Sequence, residues 1–311
     1  MDAAGLLIAR IGSKGAGLLQ AGVAGAGVFG GYHARKYAAL EGVRLAAVYD
    51  HHLVHAEALA GPLGAQAFDD LDAFLAAVDV VTVATPGDSH AAIGLAALAA
   101  DRHAYVEKPL AATGADALAM VAAAQARGLV LASGHQERVV FEAMGLMAVS
   151  ERPLRIEAVR LGTPSERNRD VSCAPDLMIH DLDLALALAG AGTARVTAAE
   201  GGFDVVTAEV DFGGGLTGRF EASRQAPARR RTMRLVYPSG VVEIDFLAPA
   251  FANGTAHRLD AGFADTPQGR DPLGASVGRF LAAVEGRGRP AVTGEEGARA
   301  LELALAIEGA L

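Results

Sequence analysis

Three side chains that could transfer protons stand at two places in the sequence. Lys108 follows a short apolar run, whereas Asp176 and His180 lie four residues apart further along the chain. Four residues make about one helical turn, so Asp176 and His180 are expected to share a face of a helix. A histidine beside a carboxylate is a general base tuned near neutral pH, and a lysine can steady a substrate oxygen while its charge changes. These residue types predict proton exchange with a hydroxyl group.

Each of these residues can also be explained by a structural role without catalysis. Lys108 could be a solvated surface lysine, and 176–183 could be a capped helix start with an acidic face. A metal site built from Asp176, His180 and Asp183 is a further alternative. No second histidine or thiol lies at ligand spacing, so we expect no metal.

A glycine-rich stretch near the start of the chain predicts a dinucleotide site. Gly25, Gly27 and Gly30 have the Gly-x-Gly-x-x-Gly spacing after a short apolar strand. The first glycine allows a tight turn, the second lets the backbone approach a diphosphate, and the third lets the helix pack on the strand. The diphosphate would lie at the positive end of the helix that opens with Val28 and Phe29.

Further cofactor contacts are predicted where strands end. Asp50 ends a predicted strand about 20 residues after the last glycine, where a ribose-binding carboxylate is expected. A 2′-phosphate would meet that negative charge, so we expect NAD rather than NADP. Ligands of doubly wound sheets bind at the carboxyl ends of the strands. The other candidate contacts at such ends are Thr85, Pro86 and Glu107. His90 lies near the same edge and is a further candidate, although a histidine in the first turn of a helix is more often structural.

These candidates are distributed over a regular alternation of strands and helices. The predicted helices span 28–39, 54–60, 90–100 and 113–127, and the strands that follow the glycine loop span 44–50, 78–84, 103–107 and 129–133. The β-branched run at 78–84 is typical of a strand buried on both faces. The alternation predicts an α/β fold, a doubly wound parallel sheet of the Rossmann type over 18–135.

After residue 134 the pattern becomes richer in strands. A helix at 137–149 and a strand at 154–161 lead to strands predicted at 195–200, 204–212, 216–224, 232–237 and 241–246, with helices at 272–285 and 295–310. The glycines at 213–215 suit a hairpin turn. We predict an α+β domain over 136–311 with a large, open, mostly antiparallel sheet. Residues 1–17 are expected to be an N-terminal extension. Arg10 and Lys14 with the apolar stretch 15–28 resemble a secretory signal, which is interpreted as coincidence because cleavage near Ala24 or Ala26 would destroy the glycine loop.

Composition and charge limit the class of protein. The 311 residues suffice for two cores, and 51% hydrophobic with 20% charged residues is typical of a globular protein. A net charge of −9 argues against nucleic acid as a partner. No apolar run reaches the length of a membrane span, so no membrane is expected either. The single cysteine, Cys173, cannot form an intramolecular disulfide, which predicts a cytoplasmic protein. No evident base lies beside it, which predicts an unreactive thiol.

Taken together, these motifs resemble the nicotinamide-dependent sugar oxidoreductases of the glucose-fructose oxidoreductase, inositol dehydrogenase and rhizopine-catabolism family. The matching segments are 25–30, 84–86 with His90, 107–109, 134–135 with Arg138, and 176–183. The resemblance implies a Rossmann domain, a second domain that closes the active site, and a homo-oligomer, either a dimer or a tetramer. It also implies that Lys108, Asp176 and His180 are catalytic and that the bond before Pro109 is cis.

Segment 170–183 is similar to family members that act on UDP-activated amino sugars, including UDP-N-acetylglucosamine 3-dehydrogenases. On this interpretation His180 takes the hydroxyl proton, Asp176 orients His180, and Lys108 holds the reacting oxygen while NAD takes the hydride. A nucleotide diphosphate would also give a purpose to arginines that precede Asp176. The candidate substrate contacts are Arg138 and Arg167, with Arg160 and Arg169 as further basic residues.

Two other functions remain open from the sequence. A free polyol or aldose, such as inositol, could replace the nucleotide sugar. A non-catalytic dinucleotide sensor could use the same fold, although it would not need proton-transfer groups. The segment 138–141 also departs from the family, because it has Arg-Val-Val-Phe where many relatives have Arg-Phe-Asn-Pro.

Overall fold

A parallel sheet forms the first half of the molecule. The structure, a computed structural model, describes residues 18–164 and 171–311, so the extension predicted over 1–17 and the predicted contacts Arg167 and Arg169 lie outside the described residues. The strand order β3-β2-β1-β4-β5-β6 confirms the predicted Rossmann topology. The strands are β1 Leu19–Ala24, β2 Val43–Tyr49, β3 Gln66–Phe68, β4 Val80–Val83, β5 His103–Glu107 and β6 Leu131–Gly134.

The order of these strands brings the candidate cofactor residues together. β1 pairs in parallel with both β2 and β4, and β4 pairs with β5. Parallel strands end at the same edge of a sheet, so Gly25, Asp50, Thr85 and Lys108 follow neighbouring strand ends. Every residue of β4 is buried, as its unbroken β-branched sequence predicts.

Ten α-helices lie within the described ranges. They are α1 Val28–Ala39, α2 Leu53–Ala60, α3 Leu71–Ala76, α4 His90–Ala99, α5 Gly114–Arg127, α6 Glu137–Ala143, α7 Ile179–Ala189, α8 Pro267–Arg270, α9 Pro272–Val284 and α10 Gly294–Glu308. The helix predicted over 137–149 is shorter than expected. It ends at Ala143 because Gly145 takes a φ of 86°, which breaks the helix, and a 3₁₀ turn at Leu146–Ala148 follows. None of the described helices is long and apolar enough to cross a membrane.

The second half of the chain is built on a seven-stranded sheet with the order β13-β12-β11-β7-β10-β9-β8. Neighbouring strands are antiparallel except for the parallel pair β7 and β10, which confirms the predicted, mostly antiparallel sheet. The strands are β7 Arg155–Leu161, β8 Arg195–Gly201, β9 Val205–Asp211, β10 Thr217–Ser223, β11 Arg230–Tyr237, β12 Gly240–Asp245 and β13 Ala250–Asn253. Gly213, Gly214 and Gly215 all have positive φ and form the turn between β9 and β10, as predicted.

The last two helices return to the first sheet. The Tyr105 hydroxyl of β5 lies 3.1 Å from the Ser276 hydroxyl of α9, and the Tyr105 ring packs edge-on against Phe280. Just before α10, Val292 accepts a hydrogen bond of 3.0 Å from the amide of Ser133 on β6. The domain division at residue 135 therefore stays a prediction, because the C-terminal segment helps to build the core around the parallel sheet.

Candidate active site

The glycine loop has the shape that a dinucleotide diphosphate needs. Gly25 has a φ of 103°, and a Cβ there would lie 2.7 Å from the carbonyl oxygen of Ala84. A Cβ at Gly30 would overlap the carbonyl oxygen of Gly25, so both positions require glycine. At Gly27 a Cβ would meet no atom within 4 Å, and no side chain caps α1 there. The loop thus leaves open space at the positive end of α1, which fits a bound diphosphate.

The residues beside this loop differ in their exposure. Val28 and Phe29, at the start of α1, are 59% and 42% exposed and flank the open space. Asp50 accepts hydrogen bonds from the amide of Ala26 at 2.9 Å and from the amide of His52 at 3.0 Å. Burial alone would raise the pKa of Asp50, but the two amides and the nearby imidazoles lower it. An ionised carboxylate therefore stands against the glycine loop.

Two predicted cofactor contacts have other partners in the structure. His90 is 2% exposed, and its Nδ1 and Nε2 lie 2.7 Å and 2.9 Å from the carbonyl oxygens of Pro109 and Thr85. His90 therefore joins the loop at Thr85 and Pro86 to the loop after β5, which argues against its predicted contact with the cofactor. Its role is to position two strand ends that line the site.

Glu107 is likewise directed into the protein. Its side chain accepts hydrogen bonds from His33 Nε2 at 2.7 Å and from Gln136 Nε2 at 2.9 Å, and the residue is 6% exposed. Burial raises the pKa of Glu107, but the bond from His33 and the charge of Lys108 outweigh it and keep the pKa below its usual value. These contacts argue against the predicted cofactor contact by this carboxylate.

Lys108 links the two halves of the molecule. Its ammonium donates to the main-chain oxygen of Asp176 at 2.8 Å and to the carboxylate of Asp176 at 3.1 Å. The Lys108–Pro109 peptide is cis. The ammonium group of Lys108, at the edge of the parallel sheet, is thus in direct contact with Asp176, which belongs to the second half of the molecule.

His180 has a different partner from the one that the sequence predicted. Asp176 lies in a π-helical turn, Ala174–Met178, and His180 follows in α7. The carboxylate at hydrogen-bond distance from His180 Nδ1 is that of Glu137, at 2.9 Å. The expectation that Asp176 orients His180 is therefore replaced by a contact with Glu137.

The electrostatic surroundings keep His180 neutral near pH 7. Burial lowers the pKa of His180, and the positive charges of Arg160 and Lys108 lower it further. The Glu137 carboxylate opposes this shift without cancelling it. Burial would raise the pKa of Glu137, but His180 and Arg160 hold it well below its ordinary value. The site accordingly pairs an ionised carboxylate with an imidazole that can accept a proton.

Two arginines suggested as substrate contacts form ion pairs inside the protein. Arg138 is 4% exposed and donates from Nη2 and Nε to the Asp183 carboxylate at 2.6 Å and 3.2 Å. Arg160 is 2% exposed and binds both oxygens of Asp181 at 2.9 Å. Burial in these pairs argues against a substrate contact for either arginine. Across the described residues, no group of three or more acidic, histidine or cysteine side chains is arranged to hold a metal.

Glu137 and Arg224 are site residues that were not predicted from the sequence. Arg224 follows β10, is 8% exposed, and places Nη2 3.4 Å from Asp176 Oδ2. Among the described residues, Arg224 and Lys108 are the cations in contact with Asp176. Burial raises the pKa of the neighbouring Cys173, whose thiol donates to the Asp204 carbonyl at 3.1 Å. This agrees with the unreactive role predicted for the cysteine.

Known proteins are similar to this chain in sequence and in fold. Residues 19–135 match a family model, GFO_IDH_MocA, described as an oxidoreductase family with an NAD-binding Rossmann fold. The UDP-N-acetylglucosamine 3-dehydrogenase of Acidithiobacillus ferrooxidans is 34% identical, covering 94% of this chain and 97% of the relative. A solved structure of that enzyme superimposes with a TM-score of 0.84 at 34% identity, covering 94% of this chain and 98% of the other.

More distant relatives share less of the sequence. An inositol 2-dehydrogenase of Cereibacter sphaeroides is 34% identical over 53% of this chain and 52% of the relative. The WlbA dehydrogenase of Bordetella pertussis, solved in complex with NADH and UDP-GlcNAcA, is 19% identical with a TM-score of 0.81, covering 94% of this chain and 95% of the other. The last likeness concerns the fold alone.

Proposed function

Because this chain belongs to the GFO/IDH/MocA oxidoreductase family, we propose that it is an NAD-dependent dehydrogenase acting on a ring carbon of a UDP-activated amino sugar. The observation that carries the proposal is the contact of Lys108 with Asp176 beside a neutral His180, at the strand ends that also carry the glycine loop. The relative from Acidithiobacillus ferrooxidans, which matches 94% of the chain, is a UDP-N-acetylglucosamine 3-dehydrogenase, and this supports the substrate class.

The residues divide the reaction between them. Lys108 donates a hydrogen bond to the substrate hydroxyl and steadies its oxygen as negative charge develops. His180 accepts the hydroxyl proton, which its lowered pKa makes possible at neutral pH. Asp176, in contact with Lys108 and Arg224, fixes the direction of the ammonium group. NAD, when bound, supplies the acceptor for the hydride.

The choice of cofactor follows from the glycine loop and Asp50. The open space at Gly27 would hold the diphosphate, and the Asp50 carboxylate would accept hydrogen bonds from the adenosine ribose. A 2′-phosphate at that position would face an ionised carboxylate whose pKa is lowered. We therefore propose a preference for NAD over NADP.

A spectrophotometric panel tests this function. Purified protein with NAD is offered UDP-N-acetylglucosamine, other UDP-sugars, inositol and free aldoses, and the absorbance of reduced nicotinamide is followed. Lys108→Ala should lose at least about 100-fold in turnover while binding NAD normally in a calorimetric titration. Wild-type protein that binds NAD but turns over no sugar would support a dinucleotide sensor instead.

A free polyol or aldose remains the second candidate substrate. The observation in its favour is the 34% identity to an inositol 2-dehydrogenase over 53% of the chain. The same panel separates the two, because a polyol dehydrogenase should prefer inositol to every UDP-sugar.

The proposal extends to assembly and location. On β10 the side chains alternate, with Thr217 and Arg219 exposed and Phe220 buried. A sheet face of this kind can bind a second copy, and we propose a dimer or tetramer, to be tested by light scattering during size-exclusion chromatography. The single cysteine is a buried free thiol, which supports a reducing location such as the cytoplasm.

A further inference from the structure

Glu137 sits where three elements of the site meet. It is the first residue of α6, and its Oε2 lies 2.9 Å from Nδ1 of His180 on α7. Its other oxygen, Oε1, accepts a hydrogen bond of 3.2 Å from Arg160 on β7. Both oxygens of this largely buried carboxylate are therefore engaged, one by the imidazole and one by a guanidinium.

Arg160 is itself held rigidly. It is 2% exposed, and its Nε and Nη2 bind the two oxygens of Asp181 at 2.9 Å each. A bidentate pair of this kind fixes the plane and position of the guanidinium. The remaining nitrogen, Nη1, therefore holds Glu137 in one place, and Glu137 in turn determines where the imidazole of His180 stands.

We propose that Glu137 is a positioning residue that holds His180 in the tautomer protonated on Nδ1, so that Nε2 is free to accept the proton of the substrate hydroxyl. An ionised carboxylate can only accept a hydrogen bond, so the hydrogen between the two residues belongs to His180 Nδ1. The hydrogen bond at one ring nitrogen sets the state of the other. Proton transfer then breaks the substrate O–H bond and forms a bond from that hydrogen to Nε2.

The pH response of this arrangement follows from the groups around it. Those facing the pair are Lys108 after β5, His135 after β6, Arg160 on β7 and Arg231 on β11. Burial, Arg160 and Lys108 oppose a charge on His180, whereas Glu137 favours it. The pKa of His135 is lowered to about 4, so His135 is neutral near pH 7. Removing the charge of Glu137 should therefore lower the pKa of His180 further. Because the neutral form is the base, the acidic limb of the rate profile should move to lower pH.

This inference rests on the proposed function, and the kinetic test uses the best substrate from the sugar panel. Glu137→Gln should lower kcat by about 100-fold, because Arg160 donates to the single amide oxygen of Gln and leaves the NH₂ group facing His180, which favours the other tautomer. The acidic limb of kcat/KM should move down by about one pH unit or more. Glu137→Asp keeps the charge, so its limb should stay at the wild-type pH even if kcat falls.

Glu142→Gln is the matched control, because Glu142 lies on the same helix and pairs with Arg279 away from His180. It should retain wild-type kcat and pH profile. A merely structural role for Glu137 would reduce the active fraction and leave the acidic limb where it is. The inference is overturned if Glu137→Gln and Glu142→Gln have the same limb and kcat values within about twofold.

A second measurement does not depend on catalysis. Long-range ¹H–¹⁵N correlation spectra of ¹⁵N-histidine-labelled protein report the tautomer of each of the nine histidines, and His180→Asn identifies the signal of His180. At neutral pH we expect His180 protonated on Nδ1 in the wild type, and a mixture or the other tautomer in Glu137→Gln. A wild-type His180 protonated on Nε2 would refute the inference. Absence of turnover with every sugar would refute the proposed function alone.

Discussion

At the scale of single residues, Asp50 is the side chain whose charge can be tested most directly. Its carboxylate is fixed by the amide of Ala26 inside the glycine loop, so it cannot swing away from a bound adenosine ribose. Asp50→Ser removes the negative charge that would repel a 2′-phosphate. We expect the ratio of NADP affinity to NAD affinity to rise by about tenfold or more, which corresponds to about 1.4 kcal/mol.

Isothermal titration calorimetry with both nucleotides measures this ratio. Asp72→Ser, an exposed acidic residue at the start of α3, changes the net charge equally and should leave the ratio unchanged. An equal ratio in Asp50→Ser and wild type would show that the cofactor preference is set elsewhere.

Residue type and location at a strand end were predictable, but side-chain direction was not. Glu107, His90 and Arg138 stand where the sequence predicted ligand contacts, yet each is buried with partners inside the protein. Their partners, such as His33 for Glu107, come from distant parts of the chain. A single sequence carries no pattern that pairs residues over such separations, so burial and ion pairing could only be recognised in the structure.

At the scale of elements, different glycines of the loop at 25–30 are expected to matter for stability and for cofactor binding. Gly27→Ala should leave the free energy of unfolding within about 1 kcal/mol of wild type, because the added Cβ meets no atom within 4 Å. It should still weaken NAD binding by about tenfold or more, because the methyl group would occupy the approach of the diphosphate. Chemical denaturation and calorimetry measure the two effects separately.

Gly30→Ala is the contrasting variant on the same loop. Its Cβ would overlap the carbonyl oxygen of Gly25, so the loop must move. The free energy of unfolding should therefore fall several times more than it does in Gly27→Ala. Gly61→Ala is the control, since a Cβ at Gly61 also meets no atom within 4 Å and Gly61 lies in the turn after α2 rather than in the loop. Unchanged NAD affinity in Gly27→Ala would contradict the assignment of the diphosphate site.

Regular elements were predictable where the pattern was long, and irregular ones were not. The helix predicted between the glycine loop and Gly42 has the bounds of α1, and the β-branched run predicted β4. The three-residue β3 and the six-residue α3 were missed because neither is long enough to show a period. The π turn at Ala174–Met178 and the contact of Glu137 with His180 could not be predicted, because both depend on tertiary packing.

At the scale of the whole molecule, the two lobes depend on one another. α9 and α10 come last in the chain but pack on the parallel sheet, through Phe280 against Tyr105 and through the strand-like contact of Thr293 with Ala132. Lys108 and Asp176 join the lobes again at the site. The geometry of the candidate active site therefore depends on the packing of both lobes, and a loss of overall stability is expected to disturb the contact of Lys108 with Asp176.

This coupling makes the pH dependence of unfolding informative. Burial lowers the pKa of His135 to about 4, and burial also lowers the pKa values of His103 and His180. In the unfolded chain histidine titrates near about 6.5. Between these values the unfolded state binds more protons than the folded state, so the free energy of unfolding falls as the pH falls. For His135 alone the loss between pH 8 and pH 5 should be about 2 kcal/mol.

His135→Asn tests this contribution, because asparagine can keep a polar group near the Ser133 hydroxyl, which lies 3.0 Å from His135 Nδ1, and it does not titrate. Urea denaturation at about pH 8 and about pH 5 should show a loss of stability smaller by about 2 kcal/mol in this variant than in wild type. The range stays above the pH at which unfolded carboxylates titrate, so Glu107 and Glu137 contribute little to the difference. His52→Asn, at an exposed position, should behave like wild type. Equal losses in His135→Asn and wild type would mean that His135 already carries its proton in the folded protein, and that the interior beside His180 is more polar than its burial indicates.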